Sequence, residues 1–272
     1  MALSVFAVGC GGSIPAEKEG TSASSKPTPS ALQPEPLVRP SVDGLFKVDR
    51  GRRLQMVCWG EGSPTVVLEA GHPDGAGIAD YGGTEFARLL AEETQVCAYD
   101  RAGWGMSDPA PREPRSADDV VRDLRSLLAA ADVAPPYVMA GSSFGGMIVS
   151  YYADRHPETV DGVALLDVPA PSATLSEEEI PEIAWDHPSN PEHVDIAPEF
   201  ENRFAKRPVS FPAPLVVITA TSGQSSPEDQ QTWLRASPDS RQVELDGGHE
   251  IYLDDPEGVA AEVVALINGA RR

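Results

Sequence analysis

The stretch Tyr137-Val-Met-Ala-Gly-Ser-Ser-Phe-Gly-Gly-Met147 constrains the fold more than any other. Its first residues are apolar and read as a buried strand, and from Phe144 onward the pattern is helical. A strand that turns into a helix over so few residues needs backbone dihedrals that a Cβ resists. Gly141 and Gly145, two residues either side of Ser143, remove that obstacle. The turn pushes the Ser143 hydroxyl into the open above the end of the strand. A serine between glycines is also a common ordinary turn, so the rest of the chain has to decide what this one is for.

The rest of the chain repeats the same alternation. Segments 45–48 and 53–59 read as paired opening strands around a turn at 49–51, and 64–70 is the first run continuous enough to be buried on both faces. A glycine-rich loop at 71–77, a helix over 84–93 and a strand over 94–99 follow. Ser116 and Asp119 form a capping box that opens a helix to 131, with Val120, Val121, Leu124, Leu127 and Leu128 along one stripe. After the Ser143 helix, which Pro157 ends, strands are expected at 162–168, 214–220 and 241–245, with a last helix from Pro256. This predicts an α/β fold: a mostly parallel sheet of about eight strands, helices on both faces, and chemistry in the loops at the strand carboxyl ends. Residues 169–212 break the rhythm. Their spaced prolines, acidic Glu177-Glu-Glu179 and isolated Ile183, Trp185 and Phe200 suggest a small lid insertion within a single domain over 42–272.

Three features place the chain in a compartment. Met1 to Cys10 is a short apolar run ending in small residues and a cysteine, and it resembles the lipobox of a bacterial lipoprotein. It departs from that pattern in its length, in having Ala7 where leucine is preferred, and in lacking the leading Lys or Arg that a start upstream of Met1 would supply. Residues 11–41 form a Ser, Thr, Pro and Ala-rich tether too poor in large apolar residues to fold. Cys58 and Cys97 fall in two expected strands and are either a disulfide or two buried thiols. The expected location is therefore outside the cell membrane, anchored by lipid on Cys10. A formal charge of −21 argues against a nucleic-acid partner and against an anionic membrane surface held by a basic patch. No metal site or cofactor is expected, since neither Cys58 nor Cys97 has metal-site company.

Ser143 needs a base, because a serine hydroxyl is a weak nucleophile until a neighbour takes its proton. His249, in Asp246-Gly-Gly-His-Glu250 between the last strand and last helix, falls at the same sheet edge. His156 and His187 precede prolines and read as a helix end and a lid turn; His193 sits in the insertion. Together with the glycine loop, Asp100-x-x-Gly-x-Gly-x-Ser107 and the Gly141–Gly145 turn, this order of motifs resembles the α/β-hydrolases of the serine-hydrolase type, over roughly residues 45–267.

The resemblance implies an acyl-enzyme on Ser143, with His249 as general base and then acid, and an oxyanion held by the backbone N–H groups of Phe144 and His72. For the acid behind His249, such proteins most often use the loop after the penultimate strand, where this chain has no carboxylate before Glu228 and Asp229. Asp167, at the end of the preceding strand, is the preferred alternative because it is short and rigidly held. Asp246 is too close to His249, and Asp254 and Asp255 are expected to cap the last helix. Trp104 is expected to border the pocket. The expected substrate is a small molecule with a carboxylic ester or related acyl bond. Dehalogenase and epoxide-hydrolase chemistry would need an aspartate at position 143. Cofactor-free, haloperoxidase-like perhydrolysis and a non-catalytic surface-anchored binding protein remain the alternatives.

Overall fold

The computed structural model describes residues 39–73, 75–199 and 206–272. Cys10, the tether up to residue 38 and Phe200 lie outside the described residues. The strands are β1 (Val42–Lys47), β2 (Arg53–Trp59), β3 (Thr65–Glu69), β4 (Val96–Tyr99), β5 (Tyr137–Ser142), β6 (Val160–Leu166), β7 (Leu215–Ala220) and β8 (Ser240–Leu245). They form one eight-stranded sheet in the order β1-β2-β4-β3-β5-β6-β7-β8. β1 and β2 are antiparallel to their neighbours; every other pairing is parallel.

The helices are α1 (Gly77–Tyr81), α2 (Glu85–Glu93), α3 (Ala117–Ala130), α4 (Phe144–Arg155), α5 (Ile196–Pro198), α6 (Pro227–Gln230), α7 (Ile251–Asp254) and α8 (Pro256–Ala270). Because strand side chains alternate, the sheet feeds two cores. Val67, Met139, Val163 and Leu165 pack against α3 and α4. Val66, Leu68, Val138 and Ala140 pack against α2, α7 and α8. Edge strand β1 instead alternates between half-buried and exposed residues. The α3 start is fixed as its sequence implies, with Ser116 N–H donating to the Asp119 carboxylate at 2.9 Å. Short α1 carries no periodicity that would announce it and lies between the end of the expected glycine-rich loop and the helix expected from residue 84.

Cys58 and Cys97 are directly opposite in the β2–β4 register and are joined by a disulfide. The insertion between β6 and β7 contains little regular structure among its described residues, yet Ile183, Asn190, Glu192, Val194 and Ile196 are buried. The Asn190 amide donates to the carbonyls of Ala184 (3.0 Å) and Val194 (2.8 Å), which ties the coil to itself. Backbone hydrogen bonds from Arg115 N–H to His193 O and from Asp195 N–H to Arg115 O attach it to the segment before α3.

Candidate active site

Ser143 sits between β5 and α4 with φ 50° and ψ −126°, a conformation that is strained for a side chain bearing a Cβ. The surroundings hold it there. Ser143 N–H donates to Leu166 O at 3.2 Å and Gly146 N–H to Ser143 O at 3.0 Å. A Cβ on Gly145 would run into the carbonyl oxygens of Glu69 and Ala70. Glycine is therefore required where α4 begins against the end of β3.

His249 follows β8, and its Nδ1 lies 2.7 Å from Asp167 Oδ2. A carboxylate only accepts, so Nδ1 carries a proton, and in the neutral ring this leaves the lone pair on Nε2. Asp167 follows β6 with φ 45° and is 1% exposed. Burial acts to raise its pKa, but hydrogen bonds from His249, from the Gln230 amide (2.8 Å) and from Gln224 N–H (3.2 Å) outweigh it and hold the carboxyl below its ordinary value. The Gln230 amide is itself oriented: its Oε1 accepts from the Thr219 hydroxyl at 2.7 Å, and Thr219 Oγ1 accepts from Gln242 at 2.8 Å. A Cβ on Gly223 would meet the Asp167 carboxylate, so the loop after β7 closes over the acid with bare backbone.

The other carboxylates near this edge have different partners. Asp229 accepts from the Ser226 hydroxyl at 2.8 Å on α6, where neighbouring Glu228 also lies in the first turn. Asp246 accepts from Thr221 at 2.8 Å. Asp255 caps α8 through Gly258 N–H, at 2.9 Å, as expected. Asp254 does not: its carboxylate accepts from Gly248 N–H at 2.7 Å and braces the loop that carries His249.

Phe144 N–H opens α4, where first-turn amides lack intrahelical acceptors and the helix dipole favours negative charge. His72 follows the close approach of Gly71 to Ser143, where a Cβ on the glycine would lie 3.3 Å from the serine Cβ. Its ring is engaged elsewhere, with Nε2 2.9 Å from Glu182 O and Nδ1 3.4 Å from Glu192 Oε1. Beneath this loop, fully buried Arg101 donates to Ala70 O (2.6 Å), Gly71 O (2.5 Å), Glu69 Oε1 (2.9 Å) and Glu192 Oε2 (2.8 Å). In the same 100–107 loop, the Asp100 carboxylate accepts from Ile78 and Met106 N–H. Trp104 does not line the Ser143 cavity; it stacks over Gly75, where a Cβ would collide with the indole at 2.5 Å.

Ser143, Phe144, His72 and His249 open onto one cavity of about 390 Å³. Its apolar wall comes from Pro169, Leu175, Ile180, Ile183 and Ile196, all within the insertion, while Glu182, Gln224 and Glu250 supply polar groups. A smaller cavity of about 60 Å³, bordered by Ser142, Asp80 and Tyr252, also reaches Ser143 and His249. Among the described residues no cluster of His, Cys, Asp or Glu is arranged to hold a metal ion.

The chain has the alpha/beta hydrolase fold, and residues 64–197 match the family model of that description. Similar solved structures include a thermophilic esterase from Thermogutta terrifontis, with a TM-score of 0.68 at 18% identity over 86% of this chain and 100% of that one. Others are the enol-lactonase from Burkholderia xenovorans (TM-score 0.62, 20% identity, 83% and 100% covered) and the epoxide hydrolase CorEH (0.68, 15%, 83% and 98%). At these identities the likeness is one of fold. An uncharacterised Bacillus subtilis protein, YqjL, is 36% identical over 108 residues, which is 40% of this chain and 41% of that protein. The chain thus matches less than half the length of that curated relative.

Proposed function

We propose that the protein is a serine hydrolase that cleaves a carboxylic ester or related acyl bond through an acyl-enzyme on Ser143. The observation that carries this reading is the convergence of a strained, half-buried serine and an Asp167-bound histidine on one cavity. In the reaction, Ser143 Oγ attacks the acyl carbon and its proton passes to His249 Nε2, while Asp167 stabilises the imidazolium that forms. The negative charge that develops on the carbonyl oxygen is met by the N–H groups of Phe144 and His72. Collapse breaks the bond to the leaving alcohol, which takes the proton from His249. A water activated by the same nitrogen then attacks the acyl carbon, releases the acid and returns the proton to Ser143.

The aliphatic wall contributed by the insertion supports a neutral, mostly apolar acyl group of modest size. Glu182 and Glu250 in the cavity lining, with no Lys or Arg among the lining residues, disfavour an anionic one. The Cys58–Cys97 disulfide supports an oxidising compartment. With the lipobox-like Cys10 it underlies a second part of the reading: export and lipid anchoring, tested by loss of radiolabelled palmitate incorporation in Cys10→Ser cells.

The enzymatic reading is tested with aryl esters of graded acyl length. Wild type is expected to turn over neutral short or medium esters, and Ser143→Ala to be inactive. Asp167→Asn is expected to lose about 10³–10⁴-fold in kcat with the fold intact, because the histidine tautomer is no longer fixed. Asp229→Asn is expected to match wild type; a loss there with Asp167→Asn unaffected would reverse the assignment of the acid.

A further inference from the structure

The insertion does more than wall the cavity. From within it, Glu192 reaches under the loop that ends at His72. Its Oε2 accepts from Arg101 Nε at 2.8 Å, and its Oε1 from Arg101 Nη2 at 3.1 Å, with His72 Nδ1 at 3.4 Å. Arg101 in turn donates to Ala70 O and Gly71 O, the two carbonyls immediately before His72. These guanidinium donors thus fix the backbone segment that leads directly into His72, a residue lining the cavity. Glu192, Glu69 and Arg101 are essentially inaccessible to water, so each of these contacts is strong and its loss is not made good by solvent. Burial acts to raise the Glu192 pKa, but the Arg101 charge and the His72 hydrogen bond overcome it and hold the carboxyl at about 2.

We propose that Glu192 is a positioning residue for the oxyanion hole, setting the His72 N–H through Arg101 and the His72 ring, and so coupling the packed state of the insertion to transition-state stabilisation. This rests on the serine-hydrolase reading for its catalytic consequence, but not for the clamp itself. No atom of Glu192 needs to touch substrate. Its effect falls on the geometry of one donor, and oxyanion donors act on the charge that develops in the transition state, not on ground-state binding.

The test compares wild type with Glu192→Gln, which keeps the shape of the side chain and leaves Arg101 paired with Glu69. Rates are normalised to the number of sites that react with a fluorophosphonate. Glu192→Gln is expected to lower kcat about 10- to 100-fold with little change in KM, as displacement of a catalytic donor does. Inhibition by an aryl trifluoromethyl ketone, which forms a tetrahedral oxyanion on serine, is expected to weaken by the same factor. Amide hydrogen exchange gives a readout independent of activity: the peptide containing residues 69–73 should exchange faster in the variant while β5 does not change. Glu192→Asp, which keeps the charge but shortens the reach, should fall between the two and serves if the glutamine variant does not fold. Unchanged kcat, ketone affinity and exchange in a folded variant would overturn the proposal. Absence of Ser143-dependent hydrolysis in wild type would instead overturn the serine-hydrolase reading, and the exchange experiment would still decide whether the clamp exists.

Discussion

At the scale of single residues, the most consequential electrostatics lie under the site. Glu69 is buried at the end of β3, where loss of water raises its pKa from the ordinary 4.5 to about 7 although Arg101 and the Tyr99 hydroxyl both donate to it. The folded state therefore holds a proton that the unfolded chain has released between pH 4.5 and about 7. Stability supplied by the neutral carboxyl is complete below the lower value and is lost as pH rises through the upper one. Replacing Glu69 with Gln removes this dependence. Thermal unfolding should show the variant gaining on wild type by about 1–3 kcal/mol between mildly acidic and mildly alkaline pH. Identical pH slopes for the two proteins would contradict the assignment. Asp167 behaves in the opposite sense: its pKa is lowered, so its contribution is present at neutral pH and lost in acid.

At the scale of elements, the β5–α4 junction is built by close approach of backbones. Gly145→Ala places a methyl group against the carbonyls at the end of β3. Since backbone cannot move aside as a flexible side chain can, the substitution is expected to destabilise by about 2 kcal/mol or more. It should also lower kcat in the molecules that remain folded, measured by denaturant unfolding alongside ester hydrolysis; a variant as stable as wild type would show that the junction has slack.

This junction was legible in the sequence because glycines at fixed offsets from a serine report a local backbone requirement. So were the sheet and its helices, through alternating apolar runs, and the placement of His249 and Asp167 at strand ends. The support around them was not legible. Gln242, Thr219 and Gln230 form a relay from three elements that ends on Asp167, and a glutamine carries no periodicity that marks it as an orienting group. Glu192 sits in the expected lid insertion, where no periodicity marks it as buried, and its partners Arg101 and His72 are 91 and 120 residues away in sequence. Asp254 reads as a helix cap because capping is a local signal, whereas its actual partner is the Gly248 amide. The one available hint was Arg101 itself: a charge two residues past the end of strand β4, where burial demands a paired carboxylate.

At the scale of the whole molecule, the antiparallel edge is fastened to the parallel body by the Cys58–Cys97 disulfide between β2 and β4. It closes a segment of sequence separation 39 that contains β3, the His72 loop and α2. By loop-closure entropy such a crosslink contributes about 3–4 kcal/mol. Replacing both cysteines with alanine is expected to lower Tm by on the order of 10 °C, with kcat per folded molecule retained. No change in Tm would mean that the reduced chain holds the edge equally well. The same organisation brings residues from β3, β5, β6 and β8 to one cavity, so the central claim concerns their joint product, an activated Ser143. Fluorophosphonate labelling followed by peptide mass spectrometry tests it most directly. The label should fall on Ser143, be absent in Ser143→Ala and be strongly slowed in His249→Ala; folded wild type that stays unlabelled, or carries the label on Ser142 or elsewhere, would contradict the account.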